Sequence, residues 1–378
     1  YIIYVCMYVC IYIIISLMNL KQEKYQKLNH EDNVIYAQLV IGPPGAGKTT
    51  YCSGMSAFLK ASGRPCSVIN LDPANEQVDG KYDCAIDISE LCSLEEVMEH
   101  FKLGPNGGLV YCMEFLEKNL DWLKEKLAHL SERYLIFDCP GQVELFTHHG
   151  SLKNIVRTLG KWGFRLTCVH LVDAYYCADP ATYISASLLS LSTMLQLELP
   201  HINVLSKIDL LEKYDKLAFQ LDFYKNAFDL DLLVPYIGLG RKEKKFLDET
   251  NDVKNNLVIP KQEVEEEEPK ESEEGRDHND VNGDNNNDTR LLSNWTKKYR
   301  KLNEMMVELV HDFRLVEFQS LNVMDPESMQ NVINVIDRSN GYVRTADERK
   351  FAETGQSTYI EELAQAHGSF WEGGDVND

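Results

Sequence analysis

An apolar run over residues 37–41 leads straight into Gly42-Pro43-Pro44-Gly45-Ala46-Gly47-Lys48-Thr49, and an amphipathic stretch over 50–60 follows. Strand, glycine-rich loop and helix in that order constrain the fold more than any other feature of the chain. The backbone N–H groups of such a loop turn inward around phosphate oxygens, with Gly45, Ala46 and Gly47 at the point of closest approach. Lys48 reaches the terminal phosphates, the Thr49 hydroxyl is placed to ligate Mg2+, and Thr50 joins them from the first helical turn. A glycine-rich turn of this length also arises by chance; the flanking strand and helix set this one apart.

Short apolar runs at 66–71, 134–137, 166–172 and 202–205 read as buried strands, and helical patterns at 91–102, 113–130, 180–196 and 215–228 alternate with them. Such alternation builds a mostly parallel sheet flanked by helices on both faces, the three-layer α/β fold of P-loop NTPases. Further on, Trp295, Tyr299, Leu302, Met306, Leu309 and Phe313 recur at helical spacing, a stripe expected to face the core. A strand over 315–318 and a helix over 326–337 then resume the fold. The expected organisation is an apolar N-terminal extension (1–34), a first part of the domain (35–238), a disordered acidic insertion (239–294), a last part of the domain (295–342) and a C-terminal tail (343–378).

Ligands of such sheets sit at the carboxyl ends of the strands, so polar residues there are the candidates for chemistry. The strand at 134–137 delivers Asp138, a carboxylate expected in the Mg2+ shell with Thr49. Gly141 then offers a backbone N–H to a γ-phosphate, and Gln142 an amide that orients attacking water. The strand ending at Leu71 delivers Asp72, which is open to readings as base, water ligand, metal-shell acid, helix cap or turn residue. Leu205-Ser206-Lys207-Ile208-Asp209 resembles the Asn-Lys-x-Asp element by which GTPases read guanine. An Asp209 carboxylate accepts from guanine N1–H and the exocyclic amine, a pair of donors that adenine does not offer, while the stem of Lys207 covers the base; guanine is favoured over adenine. Ser206 stands at the usual Asn position, a departure that bears on one stabilising side-chain contact.

The formal charge of −21 argues against a surface that grips nucleic acid phosphates. Residues 261–289 hold twelve Asp and Glu against three Lys and Arg, interrupted by Pro269 and Gly275, so this stretch lacks the apolar surface that offsets ordering entropy. It reads as a solvated linker, with an acidic docking tail for a basic partner as the sharper alternative. Ten cysteines without a Cys-x-x-Cys pair, among them Cys66, Cys84 and Cys168 inside apolar runs, fit a reducing cytosolic or nuclear compartment. Residues 1–17 are nearly all Tyr, Ile, Val, Cys and Leu, at the short limit for a membrane span, and composition turns polar at Met18. With no basic region before them and no small-residue cleavage site, they read as an extension ahead of Met18 rather than a working membrane helix.

Gly104-Pro105-Asn106 is by itself an ordinary turn tripeptide. In order with Gly42 to Thr49, Asn70-Leu71-Asp72-Pro73-Ala74-Asn75, Asp138-Cys139-Pro140-Gly141-Gln142-Val143-Glu144 and Ser206-Lys207-Ile208-Asp209, it resembles the GPN-loop GTPases. Tyr111-Cys112-Met113-Glu114, Thr147-His148-His149-Gly150 and Leu199-Pro200-His201-Ile202-Asn203 strengthen the resemblance, which covers 35–236 and 294–342. It implies a dimeric GTPase that uses GTP and Mg2+, pairing with itself or with a paralogous GPN-loop GTPase. In that family the tripeptide of one subunit reaches the nucleotide site of the other. By resemblance, Gly104 and Pro105 would then line that site, Asn106 would act in trans on the terminal phosphate, and Asp72, Gln142 and Glu144 would position or activate water. No arginine finger is evident, so slow turnover is expected. The resemblance further implies a factor for assembly or nuclear import of RNA polymerase II, with polymerase subunits or assembly chaperones as partners. Such a factor is cytoplasmic and shuttles to the nucleus, without direct nucleic acid or membrane contact. The rival readings are a nucleotide-gated scaffold with negligible catalysis and a P-loop small-molecule kinase.

Overall fold

The run that leads into the glycine loop becomes β1 (Ile35–Ile41), followed in the chain by β2 (Ser67–Asn70), β3 (Cys84–Asp87), β4 (Tyr134–Asp138), β5 (Phe164–Asp173), β6 (His201–Ser206) and β7 (Phe318–Ser320). The structure is a computed structural model and describes residues 34–75, 84–130, 134–213, 217–237, 284–346, 348, 349 and 351. The apolar start at 1–17 and the acidic insertion up to residue 283 lie outside these residues. Among the described residues the strands form one sheet in the order β3-β2-β4-β1-β5-β6-β7, every pairing parallel. Strands covered on both faces read as continuous apolar runs, which is why β1, β4, β5 and β6 were legible.

The α-helices among the described residues are α1 (Lys48–Ala61), α2 (Leu94–Phe101), α3 (Pro105–Lys118), α4 (Leu120–Ala128), α5 (Val143–Thr147), α6 (Gly150–Lys161), α7 (Pro180–Leu197), α8 (Leu221–Asn226), α9 (Asp284–Phe313) and α10 (Pro326–Asn340). On one face of the sheet Leu39 and Ile41 pack in a cluster with Phe137, Met113 and Ile155. On the other, Val40 shares a cluster with Tyr51, Met55, Met329 and Ile333. Each such side chain contributes about 1.5–3 kcal/mol by leaving water. Capping fixes where several helices start: the Asp179 carboxylate accepts from the Thr182 N–H ahead of α7, and that of Asp325 from Glu327 and Ser328 ahead of α10, each with proline at the first helical position.

Four expectations are corrected. The helix expected over 113–130 is two helices, because Asn119 leaves helical geometry and its amide donates to the Phe115 carbonyl at 2.8 Å. Gly104-Pro105-Asn106 opens α3 rather than forming a free turn, with Pro105 in the first turn. Among the described residues the α9 stripe faces the core only at Met306, which packs half-buried against the cluster that includes Leu230 and Leu233; Leu302, Leu309 and Phe313 are exposed, and Val307 and Val310 are buried in that cluster instead. Trp295 lies outside the residues whose side chains are described, and α9 itself begins inside the stretch read as insertion. Finally, the chain does not leave the fold at 342, since Arg344 and Glu348 join a buried ionic cluster with Arg64 and Asp337.

His170 and His201 lie in the sheet interior, their rings 5.7 Å apart. Burial pushes the His170 imidazole down to about 4, with the Asn203 hydrogen bond opposing that shift. A group whose folded-state value lies below its unfolded value near 6.5 costs stability as pH falls through that window, because only the unfolded chain takes up the proton. Chemical denaturation is expected to show a loss on the order of 3 kcal/mol between pH 6.5 and 4 from this residue. His170→Gln should flatten that part of the profile relative to the parent chain.

Candidate nucleotide site

The carboxyl ends of the central strands converge on the glycine loop. β2 and β4 end in register, Asn70 opposite Asp138, and the Leu71 N–H donates to the Asp138 carbonyl at 2.8 Å. The Cys139 N–H donates to the Val40 carbonyl at the end of β1. Gly47 adopts φ 88° and caps α1 without any side-chain acceptor for the first-turn N–H groups. Those donors point where an anion would sit. Lys48 is buried and its ammonium donates to the Gly42 and Pro43 carbonyls at 3.1 and 3.3 Å, which holds it across the cradle. The Thr49 hydroxyl donates to Asp138 Oδ2 at 3.2 Å, joining the two residues expected around Mg2+. Asp138 is 1% exposed, so its carboxylate belongs to the interior of the site.

At Gly141 the segment after β4 lies against the glycine loop. A Cβ there would lie 2.7 Å from Lys48 Nζ and 3.3 Å from Pro44. Gly141→Ala is therefore expected to displace the ammonium and slow GTP cleavage roughly 10²-fold, the cost of a misplacement of about 1 Å. Single-turnover phosphate release and thermal denaturation check this together: the rate should fall while the melting temperature holds. Next to Gly141, the Gln142 side-chain oxygen is inaccessible and has no hydrogen-bond partner among the described residues. Such a polar atom beside a phosphate cradle suits the positioning of water.

The purine-side element is fastened to the phosphate side by two bonds. Ser206 Oγ lies 2.8 Å from the Ala46 carbonyl, to which it donates, and 3.2 Å from that of Val172. The hydroxyl thus supplies a tether from β6 to the glycine loop at the position where Asn is usual. Lys207 has φ 59° and its ammonium donates to Asp173 Oδ2 at 2.7 Å, which draws the stem along the loop beside Gly47. Asp209 is exposed, its carboxylate open to a base. Sequence reasoning passed over Asp173, although it ends an apolar strand just as Asp138 does.

Asp72 takes the turn role among its readings: its carboxylate accepts from the Ala74 N–H at 3.0 Å. Its charge also reaches the Cys139 thiol, one of several groups that with burial push that thiol up. Glu144 is exposed at the start of α5. Gly45 and Thr50 are exposed on the rim of the cradle, while Ala46 is buried. Gly104, Pro105 and Asn106 are exposed at the start of α3, and no hydrogen bond joins Asn106 to the cradle among the described residues. The structure thus brings together the loop, Asp138, Gly141 and Lys207, and leaves the tripeptide facing outward.

The residues present fit a nucleoside triphosphate with Mg2+: uncapped N–H groups, a lysine across the loop, and the hydroxyl and carboxylate pair of Thr49 and Asp138. One or two protein oxygens suffice for this ion, since phosphates and waters complete its octahedron.

The family described as conserved hypothetical ATP-binding proteins matches residues 40–265. GPN-loop GTPase 2 of Danio rerio is 47% identical over 307 residues, covering 81% of this chain and 81% of that protein. GPN-loop GTPase 2 of Saccharomyces cerevisiae is 44% identical, covering 83% of this chain and 76% of its own length. Among solved structures, an apo-form GTPase from Pyrococcus abyssi matches with a TM-score of 0.52 at 19% identity, covering 82% of this chain and 98% of that one. That likeness concerns the fold. With the glycine loop, the Gly104-Pro105-Asn106 tripeptide and these relatives in agreement, the chain belongs to the GPN-loop GTPases.

Proposed function

We propose that this chain is a Mg2+-dependent GTPase that works as a dimer, with itself or a paralogous GPN-loop GTPase, and serves as an assembly or nuclear import factor. The observation that carries the catalytic part is the joining of the glycine loop to both sides of its ligand: Gly141 stands against Lys48 on the phosphate side, and Ser206 bonds Ala46 on the purine side. Guanine rather than adenine follows from Lys207 and Asp209, against the adenine nucleotide in the matching family's description. Lys48 and the loop N–H groups bind the phosphates, Thr49 and Asp138 hold Mg2+, and Gln142 orients water. By resemblance to the family, Asp72 and Glu144 would help to position or activate that water. Mg2+ held at Thr49 and Asp138 would supply charge neutralisation on the phosphates. Catalysis of this kind is positioning with electrostatics, and without an arginine it is slow.

The exposure of Asn106 supports the dimer, because an amide at a helix start that serves no cradle of its own chain is available to a partner's. RNA polymerase II subunits or assembly chaperones as clients rest on family resemblance alone. The free thiols among the described residues suit a cytoplasmic protein that shuttles to the nucleus. No helix among those residues is long and apolar enough to cross a membrane.

Single-turnover cleavage of GTP with no acceptor present tests the activity, and Gln142→Leu and Asn106→Ala should each slow it at least tenfold. Equal rates in all three proteins would remove these residues from the mechanism. Native mass with GTP and with GDP reads the dimer and any nucleotide dependence of it.

A further inference from the structure

Two stretches that the nucleotide site does not use, Tyr111-Cys112-Met113-Glu114 and Thr147-His148-His149-Gly150, are joined by a side-chain hydrogen bond. His149 Nε2 lies 3.1 Å from Glu114 Oε1. We propose that His149 and Glu114 form a positioning couple through which the segment carrying Gln142 and Glu144 sets the orientation of the helix that presents Asn106. This rests on the GTPase reading above and deepens it.

His149 has three attachments. Its backbone N–H donates to the Glu144 carbonyl at 2.9 Å, next to that of His148 at 3.0 Å, so it closes the short helix α5 that Gln142 opens. Its Nδ1 accepts from the Ser151 N–H at 3.3 Å and caps α6. That acceptance leaves the ring proton on Nε2, directed at Glu114. Glu114 lies on α3, about two turns beyond Asn106. One residue therefore joins three elements: its backbone N–H holds the end of the Gln142 segment, and its imidazole holds the start of α6 and the Asn106 helix. Beside it, Asn154 Nδ2 donates to Glu117 Oε1 at 2.7 Å, a second stitch between α6 and α3.

The effect is on geometry rather than on stability. The His149 and Glu114 side chains are 28% and 42% exposed, and pairs exposed to this degree add little to folding free energy. Their bond nonetheless fixes the relative placement of two elements. A shift of the Gln142 segment toward a γ-phosphate pulls on His149 and, through Glu114, on the axis of α3. Since Asn106 serves the partner's nucleotide, the pair conveys the state of one site to the other within a single chain.

The test uses full-length dimer, with labelled GTP for affinity, single-turnover phosphate release for rate, and thermal denaturation for folding. Glu114→Ala and His149→Ala are expected to slow cleavage about tenfold with GTP affinity kept; the melting temperature should hold in Glu114→Ala and fall by a few degrees in His149→Ala, which also loses the α6 cap. Glu114→Gln, whose amide oxygen still accepts from Nε2–H, should retain most of the rate. In an Asn106→Ala background, His149→Ala should add less than about twofold, because its route to the phosphate is already cut. Unchanged cleavage in both alanine variants would overturn the proposal, and so would an equal tenfold loss with Asn106 absent. A wild-type protein that cleaves GTP while these variants match it sinks the couple alone; one that binds no GTP sinks the GTPase reading and the couple with it.

Discussion

Asp209→Asn should weaken GTP binding by about 10²- to 10³-fold, roughly 3–4 kcal/mol, while leaving the fold unchanged. The carboxylate is exposed, so its loss strands no buried group in the free protein. In the proposed complex it would pair with two donors on guanine away from water, and truncating one partner of a desolvated pair of this kind costs about 2–5 kcal/mol. An amide at this position retains one acceptor and adds a donor, which faces the guanine exocyclic amine and repels it. Xanthine carries a carbonyl there, so the same variant should gain affinity for xanthosine triphosphate. Competition binding with the three nucleotides reads all of this in one experiment. Equal affinity of Asp209→Asn and the parent for GTP would remove Asp209 from base recognition.

The second large effect concerns the end of α1 opposite the phosphates. Arg64 is 4% exposed and donates to both Asp337 oxygens, Nη1 at 2.9 Å and Nη2 at 3.0 Å, and to Glu348 at 2.9 Å. Its guanidinium lies 3.8 Å from the centre of the Tyr342 ring, and Arg344 bonds Asp337 from the other side at 2.8 Å. Arg64→Met leaves the Glu348 carboxylate buried without its cation, a loss of about 3–5 kcal/mol. For a domain of this size that lowers the melting temperature on the order of 10 °C. Arg64→Lys should recover little, since an ammonium cannot form the paired bonds of a planar guanidinium. A melting temperature within about 2 °C of the parent for Arg64→Met would show that the cluster does not hold α10 and the 342–351 segment in place.

Much of the site was legible because parallel strands buried on both faces must be apolar throughout and can turn polar only at their ends. Asp138 and Asp72 were found that way, and Asp173 would have been by the same rule. The helix α6 was passed over although Leu152, Ile155, Val156 and Leu159 recur at helical spacing and are all buried. The stripe on α9 misled for a different reason: spacing identifies one face of a helix, but which face turns inward depends on what packs against it, here the 3-10 segment Leu230–Tyr236 and α7. The tether at Ser206 was beyond sequence, because a hydroxyl and a carbonyl 160 positions apart meet only when β6 lies beside the loop. The Glu114 and His149 contact, likewise, depends on the packing of α3 against α6, which no local pattern encodes.

Isothermal calorimetry of the purified chain with GTP and with ATP, each with Mg2+, tests most directly whether a triphosphate in the glycine loop has its purine read by Asp209. GTP is expected to bind at least about 10²-fold more tightly than ATP, because a site built to pair with specific donors rejects a base that lacks them. Equal affinity for the two nucleotides, or none for either, would contradict it.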